Sequence, residues 1–160
     1  MISDANHQES SKPSFLSLPL VLTGIAAAAM AVIHFLFPLV LIIKAPWYHL
    51  GWIFVGLAVL FTLAAGQGFR RAGTTVMPYR EADAMVTTGV YNVSRNPMYV
   101  AFVAGLSGVA MLLGSFSPWL VIPIFVWFIN RRVIAAEEAM METKFGAEYG
   151  AYKARVRRWI

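Results

Sequence analysis

Two stretches of the 160-residue chain hold side chains able to do chemistry: "SRNPMY" at 94–99 and "RRVIAAEEAMMETKFGAEYGAY" at 131–152. In the first, Asn96 is a favoured helix N-cap and Pro97 suits the first helical position, so a helix should start there. Its unpaired N–H groups and dipole, with Arg95 beside them, would form a site for a carboxylate or phosphate. Arg95 also fits a plainer role, as a basic flank touching lipid phosphate. In the second stretch Arg131 and Glu138 are seven apart and share a helix face to within about 20°, with Glu142 one turn further on. Such a stripe, with Arg132, Glu137 and Lys144 around it, is either a solvated surface laced with ion pairs or a pair of carboxylates holding a cationic ligand.

The elements that position these residues are written in the charge spacing. The chain is 59% hydrophobic and 13% charged, with a mean hydropathy of +0.64, against roughly 25% charged in a soluble domain. Residues 13–43, 45–69 and 96–130 contain no Asp, Glu, Lys or Arg, and each run exceeds the ~20 apolar residues that span a bilayer. The third would be ~52 Å long as one helix, but "GSFSP" at 114–118 breaks it into a hairpin. The expected fold is therefore an all-α integral membrane domain over 16–160, with about four transmembrane helices near 17–43, 47–68, 97–114 and 118–136. Beyond them the helical pattern runs through "NRRVIAAEEAMMETKFG" to a stop at Gly146. A short amphipathic basic helix on the membrane surface should follow.

Four crossings place the amino tail 1–15, the loop 69–96 and the tail 131–160 on one side. Lys12, Arg70, Arg71, Arg80, Arg95, Arg131, Arg132, Lys144, Lys153, Arg155, Arg157 and Arg158 fall there and only Lys44 opposite, so that side should be cytoplasmic. Trp47, Tyr48, Trp52 and Trp119 mark the outer interface. The net charge of +5 then faces anionic headgroups, and no nucleic-acid partner is expected. Asp4 and Glu9 outnumber Lys12 at the start, which argues for a tail and against a cleaved leader. Without cysteine there is no disulfide, thiolate metal site or cysteine nucleophile, and no metal site is expected.

Residues 68–159 resemble the isoprenylcysteine carboxyl methyltransferase and phospholipid methyltransferase superfamily of membrane enzymes. The resemblance rests on Gly89, Tyr91, Arg95, Pro97, Tyr99, Glu137, Glu138, Phe145, Gly146, Tyr149 and Tyr152, in the family's order. Asn96 stands where histidine is common and Ala101 where a glycine often follows. Asparagine hydrogen-bonds but does not titrate near neutrality. "GLSG" at 105–108 faintly resembles a glycine signature of phosphatidylethanolamine methylation, and equally suits close helix packing.

The resemblance implies S-adenosylmethionine as cofactor, S-adenosylhomocysteine as product, and a lipophilic or small methyl acceptor. Arg95 and the helix start at Asn96 and Pro97 would hold the cofactor carboxylate. Glu138, with Glu137 or Glu142, would favour its cationic part, and Tyr91 and Arg131 complete the binding set. Tyr99, Tyr149 and Tyr152 would pack on adenine or acceptor. Arg95, Glu137 and Glu138 are the expected catalytic residues, the glutamates receiving a proton if the acceptor is an amine. Gly73, Val76, Met77, Pro78, Met85, Val86 and Gly89 make the 69–96 loop a candidate lid. His34, within the first helix, is expected to bond a helix carbonyl as neutral imidazole. A bacterial inner-membrane protein fits this short form. Two rivals are a sterol-reductase-like enzyme using NADPH and a non-catalytic small membrane protein or transporter; acceptor and oligomeric state stay open.

Overall fold

The computed structural model describes residues 17–71 and 85–160. The expected tail 1–15 and the lid residues Gly73, Val76, Met77 and Pro78 lie outside the described residues. Among the described residues the architecture is all-α: α1 (Ser17–Leu36), α2 (Gly51–Arg71), α3 (Pro97–Leu113), α4 (Val121–Phe128) and α5 (Ala135–Arg155). Short 3₁₀ turns at Trp47–Leu50, Gly89–Asn92 and Ser117–Leu120 lead into α2, the α3 threshold and α4.

The first helix stops at Leu36, seven residues before the expected boundary at 43. Pro38 supplies no N–H and disfavours helical geometry at Phe37, and Leu39 turns the chain with φ 53°. The segment after it lies along the α3–α4 turn: Ile42 and Ile43 N–H donate to the Gly114 carbonyl at 2.9 and 3.0 Å, and Phe116 N–H donates to Val40 at 2.9 Å. Gly114 caps α3 in the left-handed region at φ 77°, where a side chain would also meet Ile43 O at 2.7 Å. His34 differs from expectation too. Its Nδ1 shares a 2.7 Å hydrogen bond with the Ser115 hydroxyl, because the end of α1 meets this turn and a side-chain partner is closer at hand than a free helix carbonyl.

Leu18–Leu36, Trp47–Gln67 and Ser117–Arg155 are long and apolar enough to cross a membrane, while α3 is a shorter apolar helix. At ~26 Å of rise, α3 sits near the lower end of a span. The third of these covers 39 residues, about twice the length a crossing needs, but runs as one rod only to Gly146, where the backbone leaves helical geometry. Its uncharged part is 117–130, ahead of Arg131 and Arg132, and α5, with Glu137 and Glu138 in its first turn, extends beyond it. Between α4 and α5 the rod passes through a π-helical segment, Ile129–Ile134.

The core forms where α1, α3 and the rod meet: Ala26 and Met30, then Tyr99, Phe102, Leu106 and Ala110, then Phe125, Ile129, Val133 and Ile134. By contrast α2 packs mainly along α3 and turns Trp52, Ile53, Leu57 and Leu60 outward, as a lipid-facing helix would. Its contact with α3 depends on small residues. A Cβ on Gly51 would lie 2.4 Å from the Gly108 carbonyl, one on Gly108 2.6 Å from the Gly51 carbonyl, and one on Gly105 3.2 Å from Ala58 Cβ. The glycines of "GLSG" therefore permit close packing of two backbones. Gly108→Val should lower the thermal unfolding temperature in detergent, reflecting about 1–3 kcal/mol of overpacking. Gly56→Ala, with nothing within 4 Å of its Cβ, should leave the midpoint unchanged; equal effects would mean the close approach does not exist.

Candidate functional site

Three pieces of chain converge at the end of the bundle where α3 begins. The 3₁₀ turn Gly89–Asn92, entered through Gly89 at φ 65°, buries Tyr91. Ser94, Arg95 and Asn96 then lead into α3, with Pro97 at its first position. The Asn96 side chain makes no cap bond; its Nδ2 donates instead to the Arg158 carbonyl at 3.1 Å, and Ser94 Oγ accepts from Asn96 N–H at 3.0 Å. From the other direction, the first turn of α5 brings Glu137 and Glu138.

Gly146 breaks α5 as expected, with φ 48° and ψ −118°. The helix after it buries one face: Tyr149, Tyr152 and Val156 pack with Met85, Met141 and Phe145, while Lys153 and Arg155 stay exposed. At Val156 the backbone becomes extended, φ −119° and ψ 131°, and the last residues lie as a strap over the α3 threshold. Arg95 N–H donates to the Arg157 carbonyl at 2.9 Å, Ser94 Oγ to the Arg158 carbonyl at 3.3 Å, and Trp159 Nε1 to Asn130 Oδ1 at 3.2 Å.

At the centre lies the Glu138 carboxylate, its side chain 9% exposed. Arg95 Nη2 approaches Oε1 at 3.2 Å, while Arg158 grips both oxygens, Nε to Oε1 at 3.1 Å and Nη2 to Oε2 at 2.5 Å. The Arg95 side chain is itself only 10% exposed. Among the described residues its Nε and Nη1 are buried without a hydrogen bond, although the Tyr149 hydroxyl lies beside the guanidinium; this is a costly state for a charged donor unless something else accepts from it. Two arginines around one carboxylate leave a positive excess.

Glu137 stands apart from both cations. Its Oε1 accepts from the Tyr99 hydroxyl at 2.9 Å. Burial lifts its carboxyl from 4.5 to about 7, against the lowering effect of the Tyr99 hydrogen bond and with a further push from Glu138. Tyr152 donates to the Tyr91 carbonyl at 2.7 Å, and burial, with Tyr149 nearby, raises its phenol to about 12. Burial likewise raises Tyr91 and Tyr149; Glu138 adds to the shift at Tyr149, whereas Arg95 opposes it.

Tyr91, Arg95, Asn96, Pro97, Tyr99, Glu137, Glu138, Tyr149 and Tyr152 thus come together at this end. Arg131 and Glu142 do not join the cluster. The wider turn of the π segment breaks the seven-residue register, so Arg131 is exposed while Glu138 is buried. Glu142 is exposed and pairs with Lys153. Arg158, Ser94 and the Asn130–Trp159 pair were not singled out from sequence. Arg158 lies 20 residues from Glu138 and beyond both the Gly146 break and the end of α5, so no helical spacing points to it.

A model of the phospholipid methyltransferase family matches residues 46–148. The chain belongs to that family. An uncharacterized protein of Haemophilus influenzae is 43% identical over 63 residues, which is 39% of this chain and the whole of that one. The protein-S-isoprenylcysteine O-methyltransferase of Schizosaccharomyces pombe is 36% identical over 93 residues, 58% of this chain; the aligned part spans 38% of the yeast protein. The family match covers α2, α3 and the Glu137–Glu138 pair, and ends before the strap.

Glu138→Ala would leave two arginines facing each other without their counter-ion, a loss that costs about 3–5 kcal/mol for a buried pair. Glu142→Ala breaks an exposed pair worth about 0–1 kcal/mol, so denaturant unfolding should separate the two variants clearly. For Glu137 the sign of the pH effect follows from its raised pKa. The folded state binds that proton more tightly than the unfolded chain between 4.5 and about 7, so stability falls as pH rises through this window. Melting temperatures from pH ~5 to ~7 should decline less in Glu137→Gln than in the wild type; identical slopes would mean that the carboxyl is not buried.

Proposed function

We propose that this protein is a membrane methyltransferase that takes its methyl group from S-adenosylmethionine and delivers it to a lipophilic or small acceptor. The observation that carries the reading is Arg95: a nearly buried guanidinium at a helix start, with Nε and Nη1 unpartnered. Those two donors lie on different edges of the guanidinium, because each forms a fork only with Nη2; either can donate to an anionic oxygen, and the N-terminus of α3 adds favourable N–H groups and dipole. The family match and the yeast relative's name favour methyl transfer over the reductase-like and non-catalytic readings.

In this arrangement Arg95 holds the cofactor's carboxylate, and Asn96 and Pro97 fix where α3 begins beneath it. Tyr149, whose hydroxyl lies beside Arg95 and Glu138, offers its ring to the adenosine. When bound, S-adenosylmethionine supplies a methyl group on a positively charged sulfur. The chain's task is then alignment, which can contribute about 7–11 kcal/mol to such a displacement. Glu137, half-buried beside Tyr99 with its carboxyl near neutrality, is placed to accept a proton from an amine acceptor; a carboxylate or thiolate acceptor needs none. The exposed arginines and lysines at this end suit the cytoplasmic face of a bacterial inner membrane, against anionic headgroups, with both termini on that side.

The test is calorimetric titration of S-adenosylhomocysteine into the detergent-purified protein. Micromolar binding by the wild type, weakened about tenfold or more in Arg95→Ala through loss of charge-assisted hydrogen bonds, is the expected result. Absence of binding to folded wild-type protein, or equal affinity in the variant, would refute this placement of the cofactor.

A further inference from the structure

The strap over the α3 threshold is tied down at several points. Carbonyls of Arg157 and Arg158 accept three hydrogen bonds from Ser94, Arg95 and Asn96, and Trp159 is anchored on Asn130. What these bonds deliver is the Arg158 guanidinium, aimed at Glu138 in a two-point grip. Arg95 shares only Oε1 of that carboxylate, through a single nitrogen.

Carboxylate and guanidinium prefer a parallel pair of N–H···O bonds. With Arg158 occupying that geometry, Arg95 makes a one-point contact and keeps Nε and Nη1 unpartnered. Were Arg158 absent, nothing else described would hold Glu138 in a two-point grip, and its second oxygen could turn onto Arg95 and take up Nε or Nη1 beside the Nη2 already engaged. We infer that Arg158 is a positioning residue: by holding Glu138 from the strap side it limits that carboxylate to one nitrogen of Arg95 and leaves Nε and Nη1 free to donate to a ligand carboxylate. This rests on the cofactor reading above and adds to it a residue outside the segment matched by the family model.

The distinguishing readout compares two ligands. S-adenosylhomocysteine carries an amino-acid carboxylate, whereas 5′-methylthioadenosine keeps the adenosine and thioether but lacks it. Calorimetry on the detergent-purified full chain should show Arg158→Ala weakening S-adenosylhomocysteine about tenfold or more while leaving 5′-methylthioadenosine unchanged. Arg158→Lys should fail to restore affinity, since an ammonium supplies charge but no fork. Adding Glu138→Ala to Arg158→Ala should recover part of the lost affinity by releasing Arg95. Parallel losses for both ligands in Arg158→Ala and Arg158→Lys would show a merely structural strap and overturn the inference while sparing the cofactor reading, as would unchanged S-adenosylhomocysteine affinity in both. A folded wild type that binds neither ligand would overturn both readings together.

Discussion

A single buried carboxylate, Glu138, organises the end of this protein where the candidate site lies. A charge removed from water is tolerated only when counter-charges and hydrogen bonds surround it. Here those come from two directions: Arg95 from the threshold of α3 and Arg158 from the carboxyl-terminal strap. Each requires other parts of the fold to be in place. Arg95 is fixed by the start of α3 at Pro97, and Arg158 needs both the break at Gly146 and the extended backbone at Val156.

The membrane part of the fold serves this arrangement as a rigid base. Close contact of Gly51 with Gly108 sets α2 against α3, and the hydrogen bonds of 40–43 with 114–116 tie the α1–α2 connection to the far end of α3. With both faces of α3 engaged, by α2 on one side and the core of α1 and the rod on the other, its first residue is a fixed point. The π segment then rotates the register of the rod so that Glu138 points inward while Arg131 faces out. One extra residue's worth of turn separates an exposed charge from a buried one.

Much of this was legible in the sequence. Pro97 marks the start of α3, Gly114 its end, and Gly146 the break in α5, because each of these residue types answers a specific backbone demand; Asn96 stands at the N-cap position but spends its side chain on the Arg158 carbonyl. Arg95 and Glu138 were expected at one mouth, but as separate partners of one ligand, whereas the structure pairs them with each other. Four things were not legible. The apolar run to residue 43 reads as helix, and only Pro38 hints that the chain leaves it at Leu36. The π turn leaves no compositional mark, so the Arg131–Glu138 stripe looked continuous. Arg158 sat among several basic residues at the chain end, and a pairing made through tertiary folding over 20 residues has no period to betray it. His34, too, found its partner 81 residues away in Ser115.

The central claim is that Arg95, freed by the grip of Arg158 on Glu138, receives the carboxylate of the bound cofactor. The most direct measurement is an experimental structure of the full chain with S-adenosylhomocysteine bound. The account predicts a ligand carboxylate oxygen within about 2.7–3.2 Å of Arg95 Nε or Nη1, with Glu138 still held at two points by Arg158. A carboxylate lodged elsewhere, or an Arg95 held at two points by Glu138 while the ligand is bound, would contradict it.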